Sequence, residues 1–258
     1  MASLNFEAAI FDLDGVVTKT AKVHARAWKE TFDEYLRLRQ ERDRESFAEF
    51  TYERDYLTFV DGKPRYQGVK SFLESRSIFI PFGNPDDAPG SETVCGIGNR
   101  KNLKFNEVLE EQGVEVFEST VALIRDFIKA GVKVGVASSS KNCSAILSSA
   151  KLETLFEARV CGEVSAQLGL KGKPHGDIFI TAASQLGVAP DRAIVFEDAT
   201  SGVQAGRNGG FGLVLGIARE NNRKELLENG ADLVVSDLSE ISVGSLDSWF
   251  SRESSPTH

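Results

Sequence analysis

The sequence predicts an α/β fold: a parallel sheet flanked by helices, with an α-helical domain inserted after the first strand. In the second half of the chain, short aliphatic runs alternate with helix-like stretches, as in sheets covered on both faces. Before residue 117, charged helix-like stretches with interleaved aromatic residues occur instead. We therefore expect a core domain of residues 1–20 and 116–258 and an inserted domain of residues 21–115.

Each strand of the predicted sheet is a short run rich in aliphatic residues. These runs lie at 8–11, 132–137, 193–196, 212–217 and 232–235, with a weaker candidate at 158–161. Helices are expected between them, at 117–130, 142–150, 177–187, 200–208 and 220–229. Three glycines lie at or just after the ends of such helices, where glycine commonly ends a helix: Gly131, Gly187 and Gly230.

The inserted domain is expected to be helical at 20–39, 41–60, 68–76 and 102–112. Residues 79–99 hold many of the proline and glycine residues of the chain, which is typical of a loop. We expect the tail Ser251–His258 to be frayed.

Asp12 and Asp14 directly follow the first predicted strand, and Gly15 lets the chain turn sharply behind them. Open α/β sheets bind their ligands at the carboxyl ends of the strands. Aspartates in such dry surroundings usually bind a metal or take part in chemistry. A helix cap or a turn is the alternative interpretation of this pair.

Further polar groups follow three of the later apolar runs. They are the segment Ser138–Asn142, Lys173 before Pro174, and the acidic pair Glu197 and Asp198. This combination suits magnesium-assisted phosphoryl transfer, because Mg²⁺ prefers oxygen ligands and a carboxylate can serve as a covalent nucleophile. A lysine and a hydroxyl can neutralise and hold the phosphoryl oxygens.

In this order, the four segments resemble the haloacid-dehalogenase (HAD) superfamily, and within it most closely the β-phosphoglucomutase family. The resemblance is densest at residues 6–28 and 130–217. It implies a Rossmann-like core, and the insertion matches the cap position of the first HAD subclass. The finer match is carried by residues 11–16 with Thr20, His24, Ala27, Trp28 and Lys29, by residues 137–142, and by Lys173, Pro174, 177–180, Glu197 and Asp198.

The resemblance also implies roles. Asp12 would be the nucleophile that becomes phosphorylated, and Asp14 would be the general acid/base, with its backbone carbonyl on Mg²⁺. Ser138 and Lys173 would hold the phosphoryl group. Glu197 and Asp198 would bind the metal together with Asp12. Five others would serve the substrate: Thr20 and His24 by positioning the acid/base, and Ser140, Lys141 and Asn142 by gripping the phosphate that is not transferred.

Plainer interpretations of these residues stay open. Ser138–Ser140 could form a polar loop with a helix cap, and Glu197 with Asp198 could cap a following helix. Lys173 could be a surface lysine. His24 and Trp28 lie four residues apart on a predicted helix and could simply pack together.

The cap should carry substrate-binding groups, because a closing lid excludes water from an aspartyl-phosphate. Arg65 or Lys70 could reach a distal phosphate, and a bidentate arginine suits that task. Arg100 and Lys101 lie near a helix start, where anions are favoured, although such residues are more often solvated charges. The cap departs from the mutase pattern by its extra length at 79–105 and by a basic loop that matches only in part.

The composition is that of an ordinary globular protein, with 41% hydrophobic and 26% charged residues. A net charge of −8 disfavours binding to nucleic acid. No apolar run approaches the roughly 20 residues that span a bilayer, and the N-terminal segment lacks a signal-like block. We therefore expect a cytoplasmic monomer. Cys95, Cys143 and Cys161 show neither metal-ligand nor disulfide-framework spacing, so we expect reduced thiols.

The function expected from these features is that of a β-phosphoglucomutase-like enzyme, with Mg²⁺ as cofactor and a hexose phosphate as substrate. The alternative is a HAD phosphatase, in which water accepts the phosphoryl group from Asp12. A binding protein that kept only the fold is disfavoured, because all the reactive side chains are present. Dehalogenation is disfavoured because it needs neither a magnesium site nor Asp14.

Overall fold

The computed structural model describes residues 4–44, 46–219 and 221–253. The chain forms two compact units. The first contains the residues up to Lys19 and those from Glu115 onward, and the second is Thr20–Val114. These junctions lie one residue from the boundaries that the sequence predicts.

A parallel sheet forms the centre of the first unit. Its strands are β1 (Ala8–Phe11), β2 (Lys133–Ala137), β3 (Ala158–Val160), β4 (Ala193–Glu197), β5 (Leu213–Ile217) and β6 (Leu233–Val235). Their order is β3-β2-β1-β4-β5-β6, so the predicted α/β fold is confirmed, including its weakest strand. The strand order reverses beside β1, whose carboxyl end therefore lies at the switch point where open sheets bind ligands.

The α-helices are numbered in chain order. In the second unit they are α1 (Ala21–Asp43), α2 (Arg65–Ser75) and α3 (Val94–Gln112); in the first unit they are α4 (Glu118–Lys129), α5 (Cys143–Ser149), α6 (Gly162–Gln167), α7 (Asp177–Leu186), α8 (Thr200–Asn208), α9 (Arg223–Glu228) and α10 (Val243–Glu253). The predicted core helices are found with their ends within three residues of the prediction. Helix α10 includes Ser251–Glu253, where fraying was expected, and residues 254–258 lie outside the described residues.

Helices cover the sheet on both faces. Ala8 and Ile10 of β1 share a buried apolar cluster with Phe179 of α7. On the opposite face, Phe11 stacks on Phe196 with ring centroids 4.3 Å apart, and both rings lie near Phe127 of α4. Because successive residues of a strand point to opposite faces, β1 and residues 193–196 of β4 need apolar side chains at every position.

The second unit differs from the prediction of one helix over 41–60. Helix α1 ends at Asp43 and is followed by Arg44, which has a left-handed backbone with φ of 57°; a π-helix spans Tyr52–Val60. Residues 46–51 are not helical. Asp33 accepts a hydrogen bond from the Phe50 amide at 2.7 Å, and Asp55 accepts one from the Thr51 amide at 2.8 Å. These carboxylates take backbone donors that a continuous helix would use internally.

Helix α3 begins at Val94, eight residues before the predicted start, within the segment expected to be a loop. The Thr93 side chain caps it by accepting from the Gly96 amide at 2.9 Å. A Cβ at Gly98 would lie 2.8 Å from the Tyr66 ring, so this glycine permits close packing inside a helix. The aromatic core of the unit consists of Trp28, Phe32, Phe50 and Phe72.

The cysteine expectation is wrong for one pair. Cys143 and Cys161 form a disulfide, with their Cα atoms 5.6 Å apart, whereas Cys95 is a buried free thiol. The pair is 18 residues apart in sequence but follows two neighbouring strands, β2 and β3, which the spacing alone did not reveal.

Among the described residues, no helix combines the length and apolar character needed to cross a membrane.

Candidate active site

Asp12 lies directly beyond β1, and its backbone amide donates to the Phe196 carbonyl at 2.9 Å, which extends the pairing with β4. The side chain is 7% exposed. Because Asp12 lies level with the last residues of β2 and β4, the carboxylate is fixed at the carboxyl edge of the sheet, at the switch point. Its position is therefore set by the sheet itself.

Lys173 reaches this carboxylate from the chain before α7. Its Nζ atom lies 2.6 Å from Asp12 Oδ1 and 2.8 Å from Glu197 Oε2, and its side chain is 1% exposed. Glu197 is the last residue of β4, and its other oxygen accepts from the Ala199 amide at 3.2 Å. Two buried carboxylates thus share one buried ammonium group.

The titration of these groups reflects that sharing. Burial raises the pKa of the Asp12 carboxyl above its usual range, against the opposing effect of the Lys173 ammonium. Burial likewise raises the pKa of Glu197 to about 8. Burial alone would lower the pKa of Lys173, but the two carboxylates raise it above its usual range. The ammonium group therefore stays charged between the two carboxylates.

The carboxylates fit a divalent metal. Asp12, Glu197 and Asp198 each place an oxygen so that all three lie within 4.8 Å of one another. Hard oxygen donors with surplus negative charge suit Mg²⁺, which commonly takes few carboxylates and completes its shell with water and phosphate oxygens. Asp14 does not belong to this side-chain cluster among the described residues.

Gly15 is required by the approach of Asp198. Its φ is +87°, and a Cβ at this position would lie 1.8 Å from Asp198 Oδ2. The loop after β1 and the loop after β4 therefore touch at this point. Only glycine permits this contact, because a side chain would displace the Asp198 carboxylate.

Ser138 connects the loop after β2 to the first acidic pair. Its amide donates to the Val160 carbonyl at 3.0 Å, and its hydroxyl lies 3.3 Å from Asp14 Oδ2. The same hydroxyl accepts from the Ser140 amide at 3.1 Å, and the Ser140 hydroxyl accepts from the Asn142 amide at 3.1 Å. Residues 138–142 therefore form an ordered turn that holds Lys141 between two fixed residues.

The six core residues predicted from the sequence are thus brought together. Contacts of side chains link Lys173 with Asp12 and Glu197, and Ser138 with Asp14. Asp198 joins through the metal-type cluster. Surface-lysine and polar-loop interpretations do not fit Lys173 and Ser138, which are 3% and 1% exposed.

Thr20 and His24 belong to the second unit. Thr20 is buried, and its carbonyl accepts from the His24 amide at 2.9 Å. The His24 ring stacks on Phe105 with centroids 4.0 Å apart, and its Nδ1 atom contacts Lys101 Nζ. His24 therefore combines packing with a polar contact, so neither of the two interpretations of this residue is complete.

Lys101 is a residue whose environment the sequence did not reveal. It is 3% exposed, and its Nζ atom lies 4.6 Å from the Phe105 ring centroid and 5.1 Å from that of Trp28. The expectation of a solvated charge is wrong for it. The only sequence signal was its place in a helix that the proline and glycine content obscured.

Arg65 and Lys70 have different environments in the second unit. Arg65 Nη2 donates to Asn102 Oδ1 at 2.7 Å, and burial lowers the pKa of its guanidinium. Lys70 has a side chain 58% exposed and lies 3.7 Å from Glu74. Of the two, Arg65 is the one held in a fixed position by a side-chain partner.

The site has the parts that a phosphoryl-transfer centre needs: a buried carboxylate, a buried ammonium, a hydroxyl and an acidic cluster that could hold a metal, all at one sheet edge. The model of the haloacid dehalogenase-like hydrolase family matches residues 6–210. The chain therefore belongs to this family, and it is a phosphotransferase or phosphatase enzyme.

Individual relatives show which members of the family the chain resembles. The chain is 47% identical over 237 residues to a β-phosphoglucomutase of Mycobacterium tuberculosis, covering 91% of this chain and 90% of that protein. It is 27% identical to a phosphorylated carbohydrates phosphatase of Thermotoga maritima, over 89% and 94% of the two chains. A crystal structure of β-phosphoglucomutase from Clostridium difficile matches in fold, with a TM-score of 0.75, 22% identity and coverage of 96% and 98%.

Proposed function

We propose that the protein is a Mg²⁺-dependent sugar phosphomutase of the β-phosphoglucomutase type, acting through an aspartyl-phosphate on Asp12. The arrangement of Asp12, Lys173 and Glu197 carries this proposal. A nucleophile held at the sheet edge with an ammonium group 2.6 Å away is suited to attack a phosphoryl group whose negative charge must be neutralised. The M. tuberculosis relative, at 47% identity, supports the mutase over the phosphatase.

The proposed first step forms a bond between an Asp12 oxygen and phosphorus and breaks the bond between phosphorus and a sugar oxygen. Asp14 gives its proton to that leaving oxygen. In the second step Asp14 takes the proton of another sugar hydroxyl, which attacks the phosphoryl group and regenerates the Asp12 carboxylate. Lys173 and Ser138 hold the phosphoryl oxygens throughout.

Mg²⁺ would be held by Asp12, Glu197, Asp198 and the Asp14 carbonyl, and when bound it would neutralise developing charge on the phosphoryl group. We propose that Lys173 also neutralises negative charge on the phosphoryl group, with an ammonium group that is a fixed part of the protein. Because Lys173 binds two of the carboxylates, its charge also offsets the repulsion between them. We expect removal of divalent cations to abolish turnover.

The other predicted residues are proposed to recognise the substrate. Those of the core are Ser140, Lys141 and Asn142, which would hold the phosphate that is not transferred. Those of the second unit are Thr20, His24, Arg65 and Lys70, and we propose that this unit acts as a lid. Among its cations we favour Arg65 over Lys70, because its guanidinium is partly buried and oriented by Asn102.

The test is incubation with β-glucose 1-phosphate, Mg²⁺ and a catalytic amount of a hexose bisphosphate. Accumulation of glucose 6-phosphate without equivalent free phosphate is the expected result. Release of free phosphate as the main product would instead establish the phosphatase alternative, which the T. maritima relative represents. Asp14→Asn is the matched inactive control, since it keeps the size of the side chain but removes its proton-transfer capacity.

A further inference from the structure

Two side chains after β5 contact the loops of the candidate site from behind. Arg219 Nε donates to the Gly15 carbonyl at 2.9 Å, and Asn222 Nδ2 donates to the Asp198 carbonyl at 3.2 Å. Neither residue has a role in the proposed chemistry. Both donate to backbone, so they act on the course of the loops and not on the reacting side chains.

The two carbonyls belong to residues that touch. The space for a Cβ on Gly15 is occupied by Asp198 Oδ2, at 1.8 Å from where that atom would be. Gly15 follows the proposed acid/base, Asp14, and Asp198 is in the metal-type cluster. Arg219 therefore holds the backbone of one partner of this contact, Gly15, and Asn222 holds the backbone of the other, Asp198. We call Arg219 and Asn222 the clamp.

Arg219 also contacts the segment that returns from the inserted unit. Its guanidinium carbon lies 3.6 Å from the Phe117 ring centroid, and the Phe117 amide donates to the Val17 carbonyl at 2.9 Å. Nη1 of Arg219 lies 3.3 Å from Asp237 Oδ2, which fixes the other end of the guanidinium. One side chain thus ties together the outgoing segment, the returning segment and the turn after β6.

Arg219 and Asn222 are not the residues that stability alone would select at these positions. Arg219 Nη2 and Asn222 Oδ1 are buried and find no hydrogen-bond partner within the described part of the chain. A buried polar atom left unpaired costs on the order of 1–3 kcal/mol. An apolar residue at either position would avoid that cost but could not hold a carbonyl.

We propose that Arg219 and Asn222 are positioning residues that fix Asp14 and Asp198 for proton transfer and metal binding. This inference rests on the proposed function. Arg219 acts through the Gly15 peptide on the neighbouring Asp14, and Asn222 acts through the Asp198 backbone on its carboxylate. The two effects are separable, because one concerns the proton and the other the metal.

The experiment compares Arg219→Met and Asn222→Ala with Arg223→Met, which removes an exposed arginine from the adjacent helix. For Arg219→Met we expect kcat on the sugar phosphate to fall about tenfold or more, with KM nearly unchanged and an altered pH profile of kcat. Phosphorylation by acetyl phosphate should stay near the wild-type rate, because an acyl phosphate leaves without a proton. Arg223→Met should match the wild type in all assays.

For Asn222→Ala we expect Mg²⁺ affinity to fall about tenfold, as when residues that orient metal ligands are removed. The readout is the Mg²⁺-dependent rise in melting temperature, which needs no substrate. If Arg219→Met does not fold, Arg219→Lys replaces it: the ammonium can pair with Asp237 but cannot also reach Gly15, so kcat should still fall.

Variants with lower melting temperatures but unchanged kcat, pH profile and Mg²⁺ affinity would overturn the proposal. A wild-type protein that neither forms a phosphoenzyme nor converts the sugar phosphate would contradict the proposed function instead. In that case the Mg²⁺ titration of Asn222→Ala still decides whether the clamp acts on the metal ligands.

Discussion

At the scale of single residues, the site depends on how one ammonium group is divided between two carboxylates. Lys173 lies within 2.8 Å of both Asp12 and Glu197, and all three are buried. Breaking such a group by removing the lysine would leave charges uncompensated, at a cost of about 3–5 kcal/mol. A divalent cation beside Asp198 would balance the negative charge of these carboxylates once Glu197 is ionised.

The raised pKa of Glu197 gives a prediction about metal binding. With a pKa of about 8, Glu197 is largely protonated at pH 7 before Mg²⁺ binds, and it must lose its proton to become a ligand. Mg²⁺ binding should therefore release protons near pH 7, and its affinity should rise with pH up to about 8. Calorimetry in two buffers of different ionisation enthalpy measures this release.

The control for that measurement is Glu197→Gln, which cannot release a proton and should bind Mg²⁺ weakly. Equal binding heats in both buffers for the wild-type protein would show that Glu197 is already ionised.

The acidic pair and Lys173 were predictable from the sequence as residue types at strand ends. Which carboxylates share the lysine was not, because that depends on side-chain geometry after folding.

At the scale of elements, helix α8 is placed by its contact with Glu197. A Cβ on Gly202, in the first turn of α8, would lie 2.0 Å from Glu197 Cδ. The glycine therefore lets the helix begin directly against a proposed metal ligand. The sequence shows Gly202 only as a glycine within a predicted helix, and nothing in its spacing indicates the contact.

Gly202→Ala should displace either Glu197 or the start of α8. We expect at least a tenfold loss of Mg²⁺ affinity and of turnover, since the ligand itself is moved. Gly244→Ala is the matched control, because Gly244 lies in the first turn of α10 and a Cβ there meets nothing within 4 Å. That variant should keep full activity and gain up to about 1 kcal/mol of stability from helix propensity.

Titration with Mg²⁺, followed by melting temperature, compares the two alanine variants directly. Equal affinities for Gly202→Ala and Gly244→Ala would mean that α8 can shift without disturbing Glu197. Strands with a continuous apolar run, such as β1 and residues 193–196 of β4, were predicted well because burial on both faces leaves a continuous signal. The turn at 46–51 was not, because its cause is capture of backbone amides by Asp33 and Asp55.

At the scale of the whole molecule, the first unit was predictable from the alternation of strands and helices. The second unit was predicted less well, because its helices are placed by ring packing between residues distant in sequence, such as Phe32 and Phe72. The disulfide of Cys143 and Cys161 likewise depends on which strands become neighbours. Long-range pairing of this kind carries no local sequence signal.

The measurement that tests the central claim most directly is mapping of the phosphorylated residue by mass spectrometry after exposure to acetyl phosphate and Mg²⁺. The wild-type protein should carry one phosphoryl group on Asp12, and Asp12→Asn should carry none while keeping the wild-type fold. A phosphoryl group found on another residue, or at an equal level in Asp12→Asn, would contradict the account.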